Sequence, residues 1–376
     1  MSSPSSFTYL DHNATTPVRP VAAAAIAETL AECGNPSSVH RAGRQARQRL
    51  EAARDAVAQA IGLPEGGTLV FTSGGTEANQ LALSGTGRPR ILRSAIEHDS
   101  VREAVSNAVE IPVEPGGTID LAALEAALAA DRRPALVSVM AANNETGVIQ
   151  PVAEIVRLAQ AAGALVHCDA IQAIGKIGFN MAALGADLVS LSAHKLGGPP
   201  GVGALALAPG LHLAALQRGG GQERGLRGGT ENLPGIAGFA AAILAAIAEL
   251  PKYQDLAVLR DTMERELLAI EPEAALFGAT QPRLPNTSSV ALPGLSSELQ
   301  IMALDLAGVG VSAGSACSSG KVRPSHVLSA MGATPELARS AIRISLGRDT
   351  GPEDIERLVV AWSALARRRR AKKGAA

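Results

Sequence analysis

Short apolar runs, several ending in a polar residue, recur through the first two-thirds of this 376-residue chain and alternate with longer stretches of helical spacing. That alternation predicts a largely parallel sheet covered by helices, because parallel strands need long crossovers and the crossovers pack as helices. Thr68-Leu69-Val70-Phe71 reads as a strand, and Thr72-Ser73-Gly74-Gly75-Thr76 as the turn that opens a helix. Ala135 to Met140 is a second strand, followed by the polar turn Asn143-Asn144-Glu145-Thr146-Gly147 and a helix after Pro151. Leu165-Val166-His167-Cys168 ends in Asp169, and Leu188-Val189-Ser190-Leu191 runs into Ser192-Ala193-His194-Lys195 and a Gly/Pro loop. Ligands of open α/β sheets bind just beyond the carboxyl ends of strands. Asp169 and Lys195 stand at such ends, and Thr76 stands near a helix N-terminus.

The length suits two domains, and a hydrophobic fraction of 47% supplies the core. Pro251-Lys252-Tyr253-Gln254-Asp255 marks a boundary, after which a helix from Leu256 to Ile270 leads into a mixed α+β stretch. The formal net charge of -1 argues against nucleic acid or an anionic membrane as partner. Aromatic residues make up 2%, too few to build a base-stacking surface. The basic tail from Arg367 to Lys373 reads as the end of a solvated helix. The apolar run Gly235 to Leu250 is shorter than a membrane span and reads as a buried helix. The first six residues lack the basic and apolar regions of a secretory signal, so a soluble, cytoplasmic protein is expected. Cys33, Cys168 and Cys317 are odd in number and widely spaced, which gives neither a disulfide framework nor a zinc pattern. Cys33 and Cys168 are assigned to packing.

Lys195 alone would be read as a surface lysine; its company changes that. A lysine that can bond an aldehyde, a carboxylate (Asp169) for a protonated ring nitrogen, and donors for a phosphate (Thr76, Ser192, His194) near a helix N-terminus are what pyridoxal phosphate requires. Spacing alone does not identify the cofactor.

The ordered blocks carry more. Tyr9-Leu10-Asp11-His12-Asn13-Ala14-Thr15-Thr16-Pro17, Gly34-Asn35-Pro36-Ser37-Ser38, Phe71 to Glu77, Asn143 to Gly147, Ser192 to Lys195, Gln222-Glu223-Arg224-Gly225 with Gly229-Thr230-Glu231-Asn232, and Gly314-Ser315-Ala316-Cys317 all resemble blocks of cysteine desulfurases. These are class V, fold-type I enzymes that depend on pyridoxal 5'-phosphate, and the blocks follow family order from residue 9 to about residue 348. The resemblance implies an α/β large domain with a mainly parallel seven-stranded sheet, residues 15–255, and a smaller α+β domain, residues 1–14 and 256–376, that carries the cysteine loop. The subgroup resembled is the nitrogen-fixation and housekeeping iron–sulfur one.

Residue by residue, the resemblance implies that Lys195 holds the cofactor, Asp169 pairs with its ring nitrogen, and Gln172 and Asn144 contact its ring hydroxyl. His98 stacks on the ring and assists proton transfers. Gly75, Thr76, Ser192 and His194 bind the phosphate, with Thr230 reaching across from the second subunit of a homodimer. Arg343 takes the substrate carboxylate through its planar fork, with Asn13 and Asn144 completing the substrate site. His12 stands where the family commonly has asparagine, Gly75 where alanine is frequent, and Pro200 where lysine is usual.

Cys317 decides the reaction. Its neighbourhood, Ser312 to Gly320, is rich in Gly and Ser and should be mobile, which suits a thiol that attacks the sulfur of L-cysteine and then carries it outward. The expected products are L-alanine and a Cys317 persulfide, with an iron–sulfur scaffold protein as acceptor; any metal at Cys317 would be transient and shared with it. The alternatives are a selenocysteine lyase or another class V enzyme. A non-catalytic assembly scaffold fits least, because Lys195, Asp169 and Cys317 are all present.

Overall fold

A computed structural model describes residues 7–314 and 324–373, so Cys317 lies outside the described residues. The chain enters through a two-residue strand, β1 (Thr8–Tyr9), and two helices, α1 (Pro20–Leu30) and α2 (Arg41–Ala60). The large sheet follows: β2 (Thr68–Thr72), β3 (Arg90–Ser94), β4 (Val109–Ile111), β5 (Ala135–Met140), β6 (Leu165–Asp169), β7 (Leu188–Ser192) and β8 (Gly203–Leu207). Its seven strands lie in the order β2-β8-β7-β6-β5-β3-β4. The run from β7 to β4 is parallel, and β8 is antiparallel to both its neighbours. The expected mainly parallel seven-stranded sheet is thus present. The antiparallel β8 follows directly on the Gly/Pro loop after β7, with no crossover helix between them.

Helices α3 (Gly75–Gly85), α4 (Asp99–Arg102), α5 (Leu121–Ala130), α6 (Val152–Ala161) and α7 (Met181–Leu184) fill the crossovers. Strand residues divide by alternation. Val166 and Cys168 of β6 join one core with α2, α6 and α8 (Leu233–Ala248), while His167 and Asp169 point to the other face, where α3 packs. That parity aims Asp169 at the site. Helix α8 lies close against α1: a Cβ on Gly238 would meet Ile26 Cγ1 at 2.6 Å.

Beyond α9 (Leu250–Gln254) and α10 (Leu256–Ile270), the antiparallel trio β9 (Ala275–Leu276), β10 (Thr287–Ala291) and β12 (Ala341–Ser345) forms with β10 at its centre. Helices α11 (Ser297–Leu306), α12 (His326–Ala330), α13 (Pro335–Ser340) and α14 (Pro352–Lys373) surround it, and β11 (Val309–Gly310) pairs in parallel with β1. Leu10, Met263, Val290, Ile344 and Trp362 share this half's core. A further cluster of Ile96, Met140, Ala291, Leu328 and Met331 seats it on the strand ends of the large sheet. Among the described residues no single helix is long and apolar enough to cross a membrane.

Two readings need correction. Cys33 is exposed, and only Cys168 of the two is packed; burial pushes the Cys168 thiol well up. The basic tail is not simply solvated: Arg369 is buried and pairs with Glu271 and Glu273, and Arg370 reaches Glu271 and the Ile270 carbonyl.

The loop after β8 contains a tight turn with Glu223 at φ 46° and Arg224 at φ 58°, a left-handed conformation costly for side chains with a Cβ. A buried ion pair holds it. Arg54 Nη1 and Nη2 donate to the Glu223 carboxylate at 2.7 and 2.9 Å, and the Phe71 amide donates to it at 2.8 Å. Glu223→Ala removes the buried two-bond partner of Arg54, leaving it the half-exposed Glu51 and the Leu69 carbonyl, and should cost about 3 kcal/mol, read as a lower midpoint in urea unfolding. Arg224→Gly relieves the turn and should cost nothing or stabilise by about 1 kcal/mol in the same measurement.

Candidate active site

A cleft of about 800 Å³ opens beyond the carboxyl ends of β3, β5, β6 and β7, the place open α/β sheets offer to ligands. Of the residues singled out in the sequence, Asn13, Gly75, Thr76, His98, Asn144, Asp169, Gln172, Ser192, His194, Lys195 and Arg343 all line it. Thr230 does not. It lies in a separate groove with Cys33, Arg49 and Glu231.

Asp169 ends β6. Its Oδ1 accepts from the Ile171 amide at 3.0 Å and its Oδ2 from Asn79 Nδ2 at 2.7 Å. Both donors are neutral, and burial raises the Asp169 carboxyl above its ordinary value. A cation arriving in the cleft, such as a protonated ring nitrogen, would hold it ionised. Asn79 also donates to Ser100 Oγ at 2.8 Å, and the Ser100 amide donates to His98 Nδ1 at 3.0 Å. This chain fixes the His98 ring at the N-cap of α4 and leaves Nε2 as the protonated nitrogen of the neutral ring.

Lys195 follows β7 in a single 3-10 turn. Its Nζ donates to the carbonyls of Asn13 and Ala14, both at 2.8 Å. Burial, then repulsion from Arg343, lowers the amine to about 8. His194 is lowered to about 4, by burial first and Lys195 second, so it is a neutral ring near pH 7, with Nδ1 against Thr15 Oγ1 at 3.2 Å. Together with the Thr76 and Ser192 hydroxyls and the free N–H groups in the first turn of α3, it forms a cup for a phosphate.

Arg343 enters from β12. Its Nη1 donates to the Asn144 carbonyl at 3.1 Å and its Nη2 to Asp11 Oδ1 at 2.7 Å, while Nε is buried without a partner. An unsatisfied buried donor on a guanidinium edge fits a carboxylate ligand.

The side chain of Asn13 is committed elsewhere, to Thr287 Oγ1, the Asn144 carbonyl, Lys176 and Asn286. What Asn13 gives Lys195 is its backbone carbonyl. Gln172 is likewise engaged, donating to that carbonyl at 2.9 Å and accepting from Lys176 at 2.5 Å.

Gly314 and Pro324, on either side of the Cys317 segment, both line the cleft. A Cβ on Gly314 would lie 2.2 Å from Glu145 Oε2, so only glycine lets the backbone pass there. The same oxygen accepts from Ser325 Oγ at 2.6 Å. Cys317 itself lies outside the described residues. Among the described residues no group of three or more His, Cys, Asp or Glu could hold a metal.

Sequence reasoning missed Asn79, Glu145, Lys176 and the pairing of Asp11 with Arg343. Asn79 was findable, being three residues after Thr76 and hence on the same helix face. Two of the three departures have local explanations, and nothing in the structure explains Pro200. His12 donates or accepts against Thr16 Oγ1 at 2.7 Å and fills the space beside Gly347, where a Cβ would come within 2.0 Å of its ring. A Cβ on Gly75 would displace Ile171 Cδ1, 2.2 Å away.

The Aminotransferase class-V family matches residues 8–358. A cysteine desulfurase of Cereibacter sphaeroides is 44% identical over 365 residues, covering 93% of each chain. Among solved structures, a NifS-like protein from Rickettsia africae superposes with a TM-score of 0.90 at 35% identity, covering 96% of this chain and 99% of that one. A structure described as SspA in complex with cysteine gives a TM-score of 0.76 at 28% identity, covering 90% of this chain and 98% of that one.

Only an uncharged amine reacts with acylating reagents. Lys195 in the cofactor-free protein should therefore be labelled with a midpoint near pH 8, rising as pH rises, as followed by peptide mass spectrometry. A midpoint near the ordinary lysine value of about 10.4 would contradict this.

Proposed function

This chain belongs to the class-V aminotransferase family and within it is a cysteine desulfurase, and on that premise we propose how its cleft takes sulfur from L-cysteine and where the sulfur goes. One observation carries the reading: Lys195, Asp169, Arg343 and both flanks of the Cys317 segment converge on one cleft.

The cofactor assigned to that cleft is pyridoxal 5'-phosphate. The residues present fit it: Asp169 for the ring nitrogen, Lys195 for the aldehyde, His98 for the ring face, and Thr76, Ser192, His194 and the start of α3 for the phosphate. When bound, it supplies an electron-withdrawing ring that acidifies the Cα proton of an amino acid joined to it. Asp169 keeps the ring nitrogen protonated.

L-Cysteine docks its carboxylate on the Arg343 edge that carries the unpartnered Nε, with the Asn144 amide beside it. Asp11 and the Asn144 carbonyl hold the guanidinium in place before the substrate arrives. The Lys195 amine takes the proton from substrate Cα. The Cys317 thiolate attacks the substrate Sγ: an S–S bond forms, the Cβ–Sγ bond breaks, and its electron pair stays with the three-carbon fragment, which is protonated and leaves as L-alanine. Cys317 is left as the persulfide. Its terminal sulfur passes to an iron–sulfur scaffold protein, with any metal held at Cys317 only during that handover. The exposed Thr230, remote from its own cleft, supports a homodimer in which it serves the other subunit's phosphate site.

The test is alanine formation from L-cysteine by the cofactor-loaded protein. Wild type should turn over and Cys317→Ser should not, while still binding L-cysteine as judged by the change in cofactor absorbance. Alanine formation by Cys317→Ser at the wild-type rate would remove the persulfide from the reaction. Arg343→Lys keeps the charge but loses the two-donor edge, and should raise KM for L-cysteine at least about tenfold. An unchanged KM would place the carboxylate elsewhere.

A further inference from the structure

Only six of the 34 basic residues in this chain are lysines, yet two of them, Lys176 and Lys195, meet beneath the cleft. Both line a cavity of about 20 Å³, room for a single water molecule. Arginine supplies the cation nearly everywhere else in the chain and cannot surrender its proton; lysine can.

Lys176 is 2% exposed. Its Nζ donates to Asn13 Oδ1 at 2.7 Å and to Gln172 Oε1 at 2.5 Å. Both acceptors are neutral amides, and two N–H bonds are the whole donor count of an uncharged amine, whereas an ammonium has three. The acids near the pair are already engaged. Asp11 is bonded to Arg343, and Asp169 to Asn79 and the Ile171 amide. The other titratable groups around the pair are His12, Tyr253, Arg19 and Arg348, and the two arginines carry their own partners, Glu249 and Asp349. Burial, then repulsion from Lys195 and Arg343, pushes the Lys176 amine well below its ordinary value.

We propose that Lys176 is an uncharged positioning residue for Lys195, which fixes the amides of Asn13 and Gln172 so that they aim the Lys195 amine into the cleft. By taking the oxygen end of both amides, Lys176 turns the Gln172 nitrogen toward the Asn13 carbonyl, the group that also accepts from Lys195. Being uncharged, it adds no second positive charge beside Lys195. The inference rests on Lys195 being the amine that bonds the cofactor.

The charge is tested in cofactor-free wild type by NMR of protein labelled at lysine Cε, with the Lys176 signal assigned by its loss in Lys176→Met. An uncharged signal at pH 7 is expected; an ammonium signal there overturns the proposal. Two variants test the positioning. Lys176→Arg brings an obligatory charge and should lower the Lys195 labelling midpoint by about one unit, from about 8, roughly fivefold more reactive amine at pH 7. Lys176→Met should leave the midpoint in place but slow capture of pyridoxal phosphate at least about tenfold at pH 9, where the Lys195 amine is free in both proteins. A raised midpoint in Lys176→Met, or capture at the wild-type rate, overturns the proposal. If Lys176→Met does not fold, the signal is assigned by its loss in Lys176→Arg, and the wild-type NMR still decides the charge. Borohydride reduction of the loaded wild type tests Lys195 separately: a label on another residue would sink that reading and leave the Lys176 charge result standing.

Discussion

The two halves of the molecule meet through the short loop that carries Asn13. Its amide nitrogen donates to Thr287 on β10, its amide oxygen accepts from Asn286 and Lys176, its backbone N–H donates to Ser345 Oγ on β12, and its carbonyl receives Lys195 and Gln172. Every hydrogen-bonding group of one residue is thus engaged, and together they tie the segments after β6 and β7 to the antiparallel trio. Arg343 and Lys195 come from different halves, so the distance between substrate carboxylate and reacting amine is set by this one residue and its neighbours. Buried networks of this kind are rigid only when every member is satisfied.

The molecule treats its buried charges in two opposite ways. Arg54 with Glu223, and Arg283 with Glu264, are matched as two-bond pairs of opposite charge. In the cleft, Asp169 and Lys195 instead meet only neutral bonding partners, and Arg343 keeps one donor empty. Pairing serves stability, while the unmatched charges store affinity for a ligand of complementary charge. Burial is the largest cause of both shifts, raising Asp169 and lowering Lys195, with repulsion from Arg343 adding to the second.

Much of this was legible in the chain. Apolar runs located β5, β6 and β7 and put Asp169 and Lys195 at carboxyl ends, because strands covered on both faces read as near-continuous apolar segments; the buried Ser138, His167 and Ser190 within them satisfy one another across the three strands. The helix from Leu256 to Ile270 was equally readable. What escaped depended on contacts distant in sequence. Nothing local marks β8 as antiparallel, or gives Glu223 a reason to hold a left-handed turn until Arg54 and Phe71 are beside it. Cys33 follows an apolar helix and looks like packing, but α1 turns only part of itself inward. Lys176 lies among Gly and Ile and resembles an ordinary loop lysine until the fold brings Asn13 to it.

The parallel pairing of β1 with β11 joins residues 8 and 9 to residues 309 and 310, and it also sets a schedule. The loop that supplies the Asn13 and Ala14 carbonyls leaves the ribosome first, but the strands that hold it in place, β10, β11 and β12, are made last. Domains form as units during synthesis, so a nascent chain can close its large sheet, with Lys195 already at the end of β7, before those two carbonyls are anchored. Until then Lys195 lacks its two carbonyl acceptors and the Arg343 guanidinium that β12 brings beside it.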